Sequence, residues 1–156
     1  MIQVIVSVAL TESALVTLLS NFFVECRNSE NLLNGALSGF WKCSEAAYCL
    51  GLISDGMFDN LKLIAQIRNL FAHTTEFLDF DTHKVKSLCS KLTAYKGWIL
   101  PMSGGRGIPI EIALNSKSPR QRFTSLCSAL CMTLIQKAAQ VERRKTIRDT
   151  WSKRNP

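Results

Sequence analysis

The sequence predicts an all-α fold: a single-domain helical bundle of about five main helices with one long loop that contains glycine and proline. Two observations predict it. Apolar residues recur at steps of three, four and seven along most of the chain, a spacing that stacks them on one face of an α-helix. No alternation of strand and helix patterns and no internal repeat interrupts this periodicity.

Length and composition favour one domain. The chain has 156 residues, 47% of them hydrophobic and 20% charged, and two domains of half that length would each be near the lower limit for a core of their own. We expect residues 1–141 to form the bundle and residues 142–156 to form a basic C-terminal extension. The net charge of +7 favours acidic partners such as nucleic acid, although a basic protein without such a ligand fits equally well.

The first two helices follow from apolar stripes. The first is predicted from about Ile2 to Cys26, with the stripe Val4, Val8, Leu15, Leu19, Phe22 and Cys26. Residues 27–39 are predicted to be a connection with room for one helical turn at Leu32 and Leu33. A second helix is predicted from about Phe40 to Leu50, ended by Gly51, because glycine best adopts a left-handed cap.

The next two helices are predicted from start signals. Ser54 and Asp55 are N-cap candidates for a third helix, Gly56 to about His73, since their side chains accept the free N–H groups of a first turn. Asp81 is predicted to cap a fourth helix in the same way. Its inner face is formed by Val85, Leu88, Cys89 and Leu92.

The last third of the chain combines a loop and a strongly signalled helix. Glycine and proline between Gly97 and Lys117 predict the loop, in which Ile108, Ile110 and Ile112 alternate as in a short strand. Ser118-Pro119-Arg120-Gln121 then combines an N-cap serine, a proline at the first helical position and a glutamine at the third. The helix behind it carries the stripe Phe123, Leu126, Leu130, Leu134, Ala138 and Val141.

Two charged residues fall within apolar stripes. Arg68 lies in the arc of the third helix, and Glu12 lies in the stripe of the first. An isolated charge in a core costs several kcal/mol unless it is paired. The sequence therefore predicts a buried ion pair between Glu12 and Arg68 that joins the two helices. In a functional interpretation, Arg68 lines a site and Glu12 orients it.

Both histidines lie at predicted helix ends. Asn69 and His73, at i and i+4, share one helix face, whereas Arg68 and His73 converge only if the helix ends or distorts near Ala72. A histidine at a helix C-terminus is also explained by the helix dipole alone. His83 is predicted in the first turn of the fourth helix, exposed to solvent.

The remaining chemistry-bearing residues are cationic or thiol groups. Arg143, Arg144, Lys145 and Arg148 are candidates for contact with nucleic-acid phosphates, or form a solvated helix end. None of the six cysteines belongs to a C-x-x-C pair or a zinc-like cluster, so we expect neither a metal nor a cofactor. The N-terminus lacks the features of a signal peptide. Its uninterrupted apolar run is too short to span a membrane. Both observations predict a cytoplasmic protein with reduced thiols.

The central third of the chain resembles the mannitol operon repressor family. The resemblance lies in residues 50–53 (LGLI) and 59–73 (DNLKLIAQIRNLFAH), with further matches at residues 10–15, 80–81 and 118–123. It implies an all-helical transcription regulator, a repressor that acts by protein–protein interaction and self-associates as a homodimer. Cys43-Ser44 departs from the basic–aliphatic pair that the family carries in the second helix, so equivalent contacts are not expected there.

The segment from Arg68 to His73 also resembles the R-x-x-x-x-H motif of HEPN domains, which include metal-independent ribonucleases and non-catalytic partners. By this resemblance His73 transfers a proton at the ribose 2′-hydroxyl, Arg68 stabilises charge on the scissile phosphate, and Asn69 orients one of the two. Such sites are usually built across a dimer interface. The first interpretation is therefore a non-enzymatic regulator, and the alternative is a metal-independent, toxin-like ribonuclease.

Overall fold

The computed structural model describes residues 2–73, 78–94, 99–101, 107–109 and 118–145. Within them the chain is an all-α bundle, as predicted, with six helices that we number along the chain. They are α1 (Ile2–Phe22), α2 (Arg27–Asn34), α3 (Phe40–Cys49), α4 (Asp55–His73), α5 (His83–Lys91) and α6 (Pro119–Gln140). Two short strands, β1 (Ile99–Pro101) and β2 (Gly107–Pro109), pair antiparallel.

The core is built on α1 and α6, which lie side by side and run in the same direction. The Cys131 thiol contacts the Leu10 carbonyl at 3.7 Å. Nearer the C-terminus of both helices, the Asn21 amide donates to the Ala138 carbonyl at 2.9 Å. Helices α3 and α4 pack on α1, and α5 packs on α4 and α6. The largest fully buried side chains are Phe123, Leu15, Leu18, Leu19, Met57, Leu61, Ile64, Ile67, Leu92 and Leu126.

The first helix ends earlier than its stripe predicts. α1 stops at Phe22, and Cys26 is an exposed residue that precedes α2. The Ser29 hydroxyl donates to the Val24 carbonyl at 2.7 Å and accepts the Cys26 N–H at 3.3 Å, and such local bonds compete with helix continuation. α2 is eight residues long instead of a single turn. None of its residues is buried, so the sequence has no apolar stripe from which this helix could be predicted.

The end of α3 matches the prediction. Gly51 has φ +70°, its N–H donates to the Tyr48 carbonyl at 2.9 Å, and the Leu52 N–H donates to the Ala47 carbonyl at 2.9 Å. These two bonds satisfy the last carbonyls of the helix in the Schellman arrangement, which glycine favours. α4 then begins at Asp55. The Ser54 hydroxyl is buried without a partner among the described residues, so it does not act as a side-chain cap.

The turn before α5 corrects another predicted cap. The helix follows Thr82, not Asp81, and the carboxylate that organises the turn belongs to Asp79. This carboxylate accepts the N–H groups of Asp81 at 3.1 Å and Thr82 at 2.8 Å, and the Thr82 hydroxyl at 3.0 Å. The bonds from Thr82, followed by those from Asp81, hold the pKa of Asp79 below its usual value.

The start of α6 and the position of Ile108 in the hairpin agree with the sequence prediction. Ser118 Oγ accepts the Gln121 N–H at 3.4 Å and Gln121 Oε1 accepts the Ser118 N–H at 3.2 Å, so the predicted capping box is confirmed. Ile108 lies in β2, as predicted. Ile110 and Ile112 lie outside the described residues.

The predicted buried pair between Glu12 and Arg68 is wrong. Arg68 is exposed, Glu12 is half-buried, and neither is in an ion pair with another described residue. The buried residues in the second half of α4 are Ile64, Ile67 and Phe71. At 100° per residue their arc is centred about 70° from Arg68, so the guanidinium reaches solvent. The buried arc of α1 is likewise centred about 80° from Glu12.

Aromatic rings on the solvent side help to hold α4 on α3. The Phe58 ring stacks on Tyr48, with centroids 4.3 Å apart, and on Trp41 at 5.6 Å. The Lys62 ammonium lies 4.9 Å from the Phe58 centroid. Ring pairs of this kind stabilise by about 0.5–1.5 kcal/mol each, so the orientation of α4 is defined on its outer side as well as in the core.

By length and apolar composition α1 passes the test for a membrane-spanning helix, a test that the core helices of soluble proteins also pass. Eight of its residues are buried inside the bundle. Its outward residues include several large apolar side chains, which form a surface described below.

Candidate functional site at the α4–α5 groove

An open groove of about 710 Å³ lies between α4 and α5. Its described walls combine polar and apolar side chains. They are Gln66, Asn69, Leu70 and His73 from α4, and His83, Lys84, Ser87 and Leu88 from α5. Leu70 and Leu88 are half-buried against the core, so they give the groove an apolar base, while the polar groups line its solvent side.

Helical spacing explains why these residues share the groove. The α4 residues are separated by three, one and three positions, and the α5 residues by one, three and one, so each set forms one stripe along its helix. Asn69 and His73 therefore lie together, as the sequence predicted. Both side chains are exposed and available to a ligand.

A buried amide determines how the two helices are aligned. Asn60 is 1% exposed; its Nδ2 donates to the Thr93 carbonyl at 2.8 Å, and its Oδ1 accepts the Thr93 N–H at 3.1 Å. Thr93 follows the end of α5, whereas Asn60 lies near the start of α4. The two helices are thus antiparallel, and the start of α5, with His83 and Lys84, lies at the end of α4 that carries His73.

Arg68 stands beside the groove and is not part of its described wall. Its Nη1 donates to Asn69 Oδ1 at 3.2 Å, and Asn69 lines the groove. Adjacent helix positions point about 100° apart, which is why the two residues face different directions and meet only through their side-chain ends. Arg68 therefore reaches the wall of the groove through its bond to Asn69.

His83 and Lys84 are the ionisable groove residues that the sequence did not assign to the site. His83 is exposed in the first turn of α5, as predicted. Nothing local in the sequence shows which other helix will face that turn. The signal is the pairing of Asn60 with Thr93, which becomes visible only when the fold is known.

The charges around this end of the groove are mixed, with two cationic side chains and two carboxylates. Lys84 and Arg68 contribute full positive charges, and the N-terminus of α5 contributes the partial positive charge of a helix dipole. Asp79 and Asp81 stand in the turn just before α5, and Asp79 is occupied by the N–H and hydroxyl groups of that turn. The arrangement suits an anionic group held between cations and imidazoles.

The basic candidates after α6 make contacts within the chain. Arg143 Nη1 forms an ion pair with Glu25 Oε2 at 2.5 Å. The Arg144 N–H donates to the Phe22 carbonyl at 2.8 Å, and its guanidinium lies 4.9 Å from the Phe22 ring centroid. These contacts attach the segment after α6 to the C-terminus of α1, where a cation is favoured by the dipole.

The other two members of that set differ from them. Lys145 is exposed, as Arg143 and Arg144 are, but is in no ion pair with another described residue, and Arg148 lies outside the described residues. The backbone leaves the helix at Val141, which is extended at φ −68° and ψ 131°. The basic residues up to position 145 therefore do not form a helix end; they lie in a non-helical segment whose Arg143 and Arg144 contact the end of α1 and the residues just after it.

A second surface is apolar and is formed by α1 and α6. Its large exposed side chains are Ile2, Ile5, Val6, Leu10, Met132 and Ile135, each between 46% and 78% exposed. Leu10 and Met132 flank a small cleft of about 220 Å³ between the two helices. No charged residue occurs from position 2 to 11 or from 123 to 136, so this surface is uncharged over several turns.

Comparison with known proteins adds no assignment. Among the described residues no group of three or more His, Cys, Asp and Glu side chains is arranged to hold a metal ion. No protein-family model, no curated protein and no solved structure matches the chain.

Proposed function

We propose that the chain is a metal-independent ribonuclease whose site is the α4–α5 groove. The observation that supports this proposal is that Asn69 and His73 line one groove, and that Arg68 stands beside it and donates a hydrogen bond to Asn69. Because Arg68 is not part of a buried ion pair, core packing does not explain why the charge is there. An exposed guanidinium beside the groove is free to contact an anionic ligand there.

RNA suits this set of residues because the ribose 2′-hydroxyl supplies the nucleophile for its own cleavage. The protein then needs to move protons and stabilise the charge that develops on the phosphate, and positioned side chains do both. His73 transfers a proton, Arg68 stabilises the phosphate oxygens, and Asn69 positions the guanidinium. The net charge of +7 attracts the polyanion at long range.

The proposal is tested with purified protein, mixed cellular RNA and EDTA. We expect the wild type to cleave and His73→Ala to lose ~10²–10⁴-fold in rate, the usual contribution of proton transfer by a side chain. His73 is exposed at the end of α4, so the variant should fold, which circular dichroism checks. Gln136→Ala, at an exposed position of α6, is the matched control.

Two results would count against a ribonuclease. RNA that stays intact with the wild type would reject the activity. Cleavage that persists undiminished in His73→Ala would indicate a contaminating nuclease or a site elsewhere. Equal cleavage by the wild type and Gln136→Ala, together with loss in His73→Ala, would support the groove as the site.

The second candidate is a mannitol-repressor-like regulator that acts by binding protein partners, with a homodimer as its assembled form. The uncharged apolar surface of α1 and α6 favours it, because exposed apolar patches of this kind mark interaction sites. Two identical uncharged faces can also meet without burying a charge, even in a chain with net charge +7. This candidate predicts binding without turnover.

Association is measured by sedimentation over a range of concentrations. Leu10→Lys places a charge at the cleft between the two helices, and we expect it to abolish self-association of the wild type. Asn31→Lys adds the same charge at an exposed position of α2 and should leave association intact. A wild type that is monomeric at every concentration would reject the homodimer, and a monomer that also recruits no protein partner would reject the regulator.

A further inference from the structure

We propose that His83, together with Lys84, completes the catalytic set of the groove: His83 is the second proton-transfer group, and Lys84 is a second cation for the phosphate. This inference rests on the ribonuclease proposal and adds residues that the R-x-x-x-x-H segment does not contain. The observation behind it is that both histidines of the chain line one groove, although nine residues separate them along the chain.

The geometry brings His83 to the correct end of the groove. His83 and Lys84 are the first two residues of α5, and His73 is the last residue of α4. The two bonds between Asn60 and Thr93 hold the helices antiparallel. The first turn of α5 therefore lies next to the last turn of α4, and its free N–H groups add positive potential there.

The reaction itself requires two proton transfers. The ribose 2′-oxygen attacks the phosphorus, a base takes the 2′-hydroxyl proton, and the bond to the 5′-oxygen of the next nucleotide breaks. An acid gives that leaving oxygen a proton, and the products are a 2′,3′-cyclic phosphate and a free 5′-hydroxyl. A neutral imidazole performs the first step and an imidazolium the second, so two histidines carry out one turnover without any co-reactant.

Structural roles do not account for His83 and Lys84. Both side chains are exposed, and neither is in an ion pair or a hydrogen bond with another described residue. The acidic groups nearest in the chain are Asp79 and Asp81 in the turn before α5, and Asp79 already accepts three bonds from that turn. Lys84 and Arg68 supply the cations that oppose these carboxylates at the phosphate.

The first experiment compares single variants on a pool of RNA oligonucleotides that covers every dinucleotide step, in EDTA. We expect His83→Ala to lower kcat by ~10²-fold or more, as is also expected for His73→Ala, and Lys84→Ala to lower the rate about tenfold. The double histidine variant should be little worse than either single variant, because residues that act as a unit are not additive. Lys86→Ala is the control: Lys86 is exposed on α5 and is not among the residues that line the groove.

A second experiment separates the acid from the base. In oligonucleotides with sulfur in place of the bridging 5′-oxygen, the leaving group departs without protonation. The histidine variant that lacks the acid should recover most of its rate on this substrate, whereas the variant that lacks the base should not. A merely structural histidine would show no such selective recovery.

The outcomes distinguish this inference from the function on which it rests. Cleavage by the wild type that is unchanged in His83→Ala would overturn the role of His83 and leave the ribonuclease standing. Equal losses in Lys84→Ala and Lys86→Ala would overturn the role of Lys84, since net charge alone would explain both. No cleavage by the wild type would overturn the function and the inference together.

Discussion

Arg68 is the residue whose observed environment differs most from the one that the sequence predicted: it was expected in the core and lies on the surface. Its guanidinium is exposed and donates to Asn69 at 3.2 Å. The buried face of α4 is defined by residues such as Ile67 and Phe71. Arg68 points away from that face, so its guanidinium reaches solvent. A charge that costs nothing in desolvation is free to act on a ligand.

Arg68→Ala is therefore predicted to leave the free energy of unfolding within about 0.5 kcal/mol of the wild type, as for other exposed substitutions. A buried ion pair would instead cost about 3–5 kcal/mol when one partner is removed. Urea denaturation followed by circular dichroism makes the distinction. Glu12→Gln is the parallel test on α1, and a loss of several kcal/mol in both variants would restore the buried pair.

Asn60→Ala is predicted to be costly, in contrast to the exposed asparagine of the same helix. The variant removes two hydrogen bonds to the Thr93 backbone from a site that is 1% exposed, and the loss of a buried partner costs about 1–3 kcal/mol. Asn69→Ala, the matched control, should change stability by less than about 0.5 kcal/mol. Equal stabilities would mean that Asn60 does not hold α5 in place.

At the scale of single elements, local signals decided where helices begin and end. Gly51 ends α3 through two backbone bonds, and Ser118 with Gln121 begins α6. The sequence predicted both, because each needs residues only within one helical turn. After α1, the Ser29 hydroxyl accepts the Cys26 N–H by a similarly local bond, but a mid-segment serine is common enough that this contact was not distinguishable in the sequence.

Ser118→Ala is predicted to lower the free energy of unfolding by about 1 kcal/mol, within the ~0.5–2 kcal/mol range of N-cap losses. In a chain of this size that corresponds to a fall in Tm of about 2–4 °C. Ser128→Ala makes the same chemical change at an exposed position inside α6 and should leave Tm unchanged or slightly higher. Thermal unfolding measured by calorimetry tests the pair, and equal melting temperatures would contradict the capping role.

At the scale of the whole molecule, the buried thiols make stability depend on pH. Burial raises the pKa of the Cys89 thiol to about 11, against the opposing effect of Arg122, and raises that of Cys127 further. Burial, with a smaller contribution from Glu12, also raises the pKa of Cys43. These thiols stay protonated in the folded chain at a pH where they ionise once it unfolds.

The free energy of unfolding is therefore predicted to fall as pH rises above about 9, the ordinary thiol pKa. Above that pH the unfolded chain binds fewer protons than the folded chain, so each thiol lowers stability by up to about 1.4 kcal/mol per pH unit. For Cys89 the fall continues to a pH of about 11. Urea titrations in reductant from pH 7 to 10.5 measure it. A Cys89→Ala variant should show a shallower slope, and an identical slope would contradict the assignment.

The fold class and most helix bounds could be read from the sequence because apolar periodicity and capping residues act over one or two turns. The site could be read only in part. Asn69 and His73 were predictable as an i, i+4 pair, but the contribution of His83 and Lys84 depends on a contact between Asn60 and Thr93, 33 residues apart. The position of Arg144 likewise depends on its hydrogen bond to the carbonyl of Phe22, a residue far away in the sequence.

By itself, then, the sequence determined five of the six described helices, all but α2, since the interactions that start, continue and end a helix lie within a few residues of one another. Only the tertiary structure decided which face of each helix was covered. It exposed Arg68, and it aligned α4 with α5 so that His73 and His83 share a groove. Burial and alignment depend on the shape of every neighbouring helix, and no local run of residues contains that information.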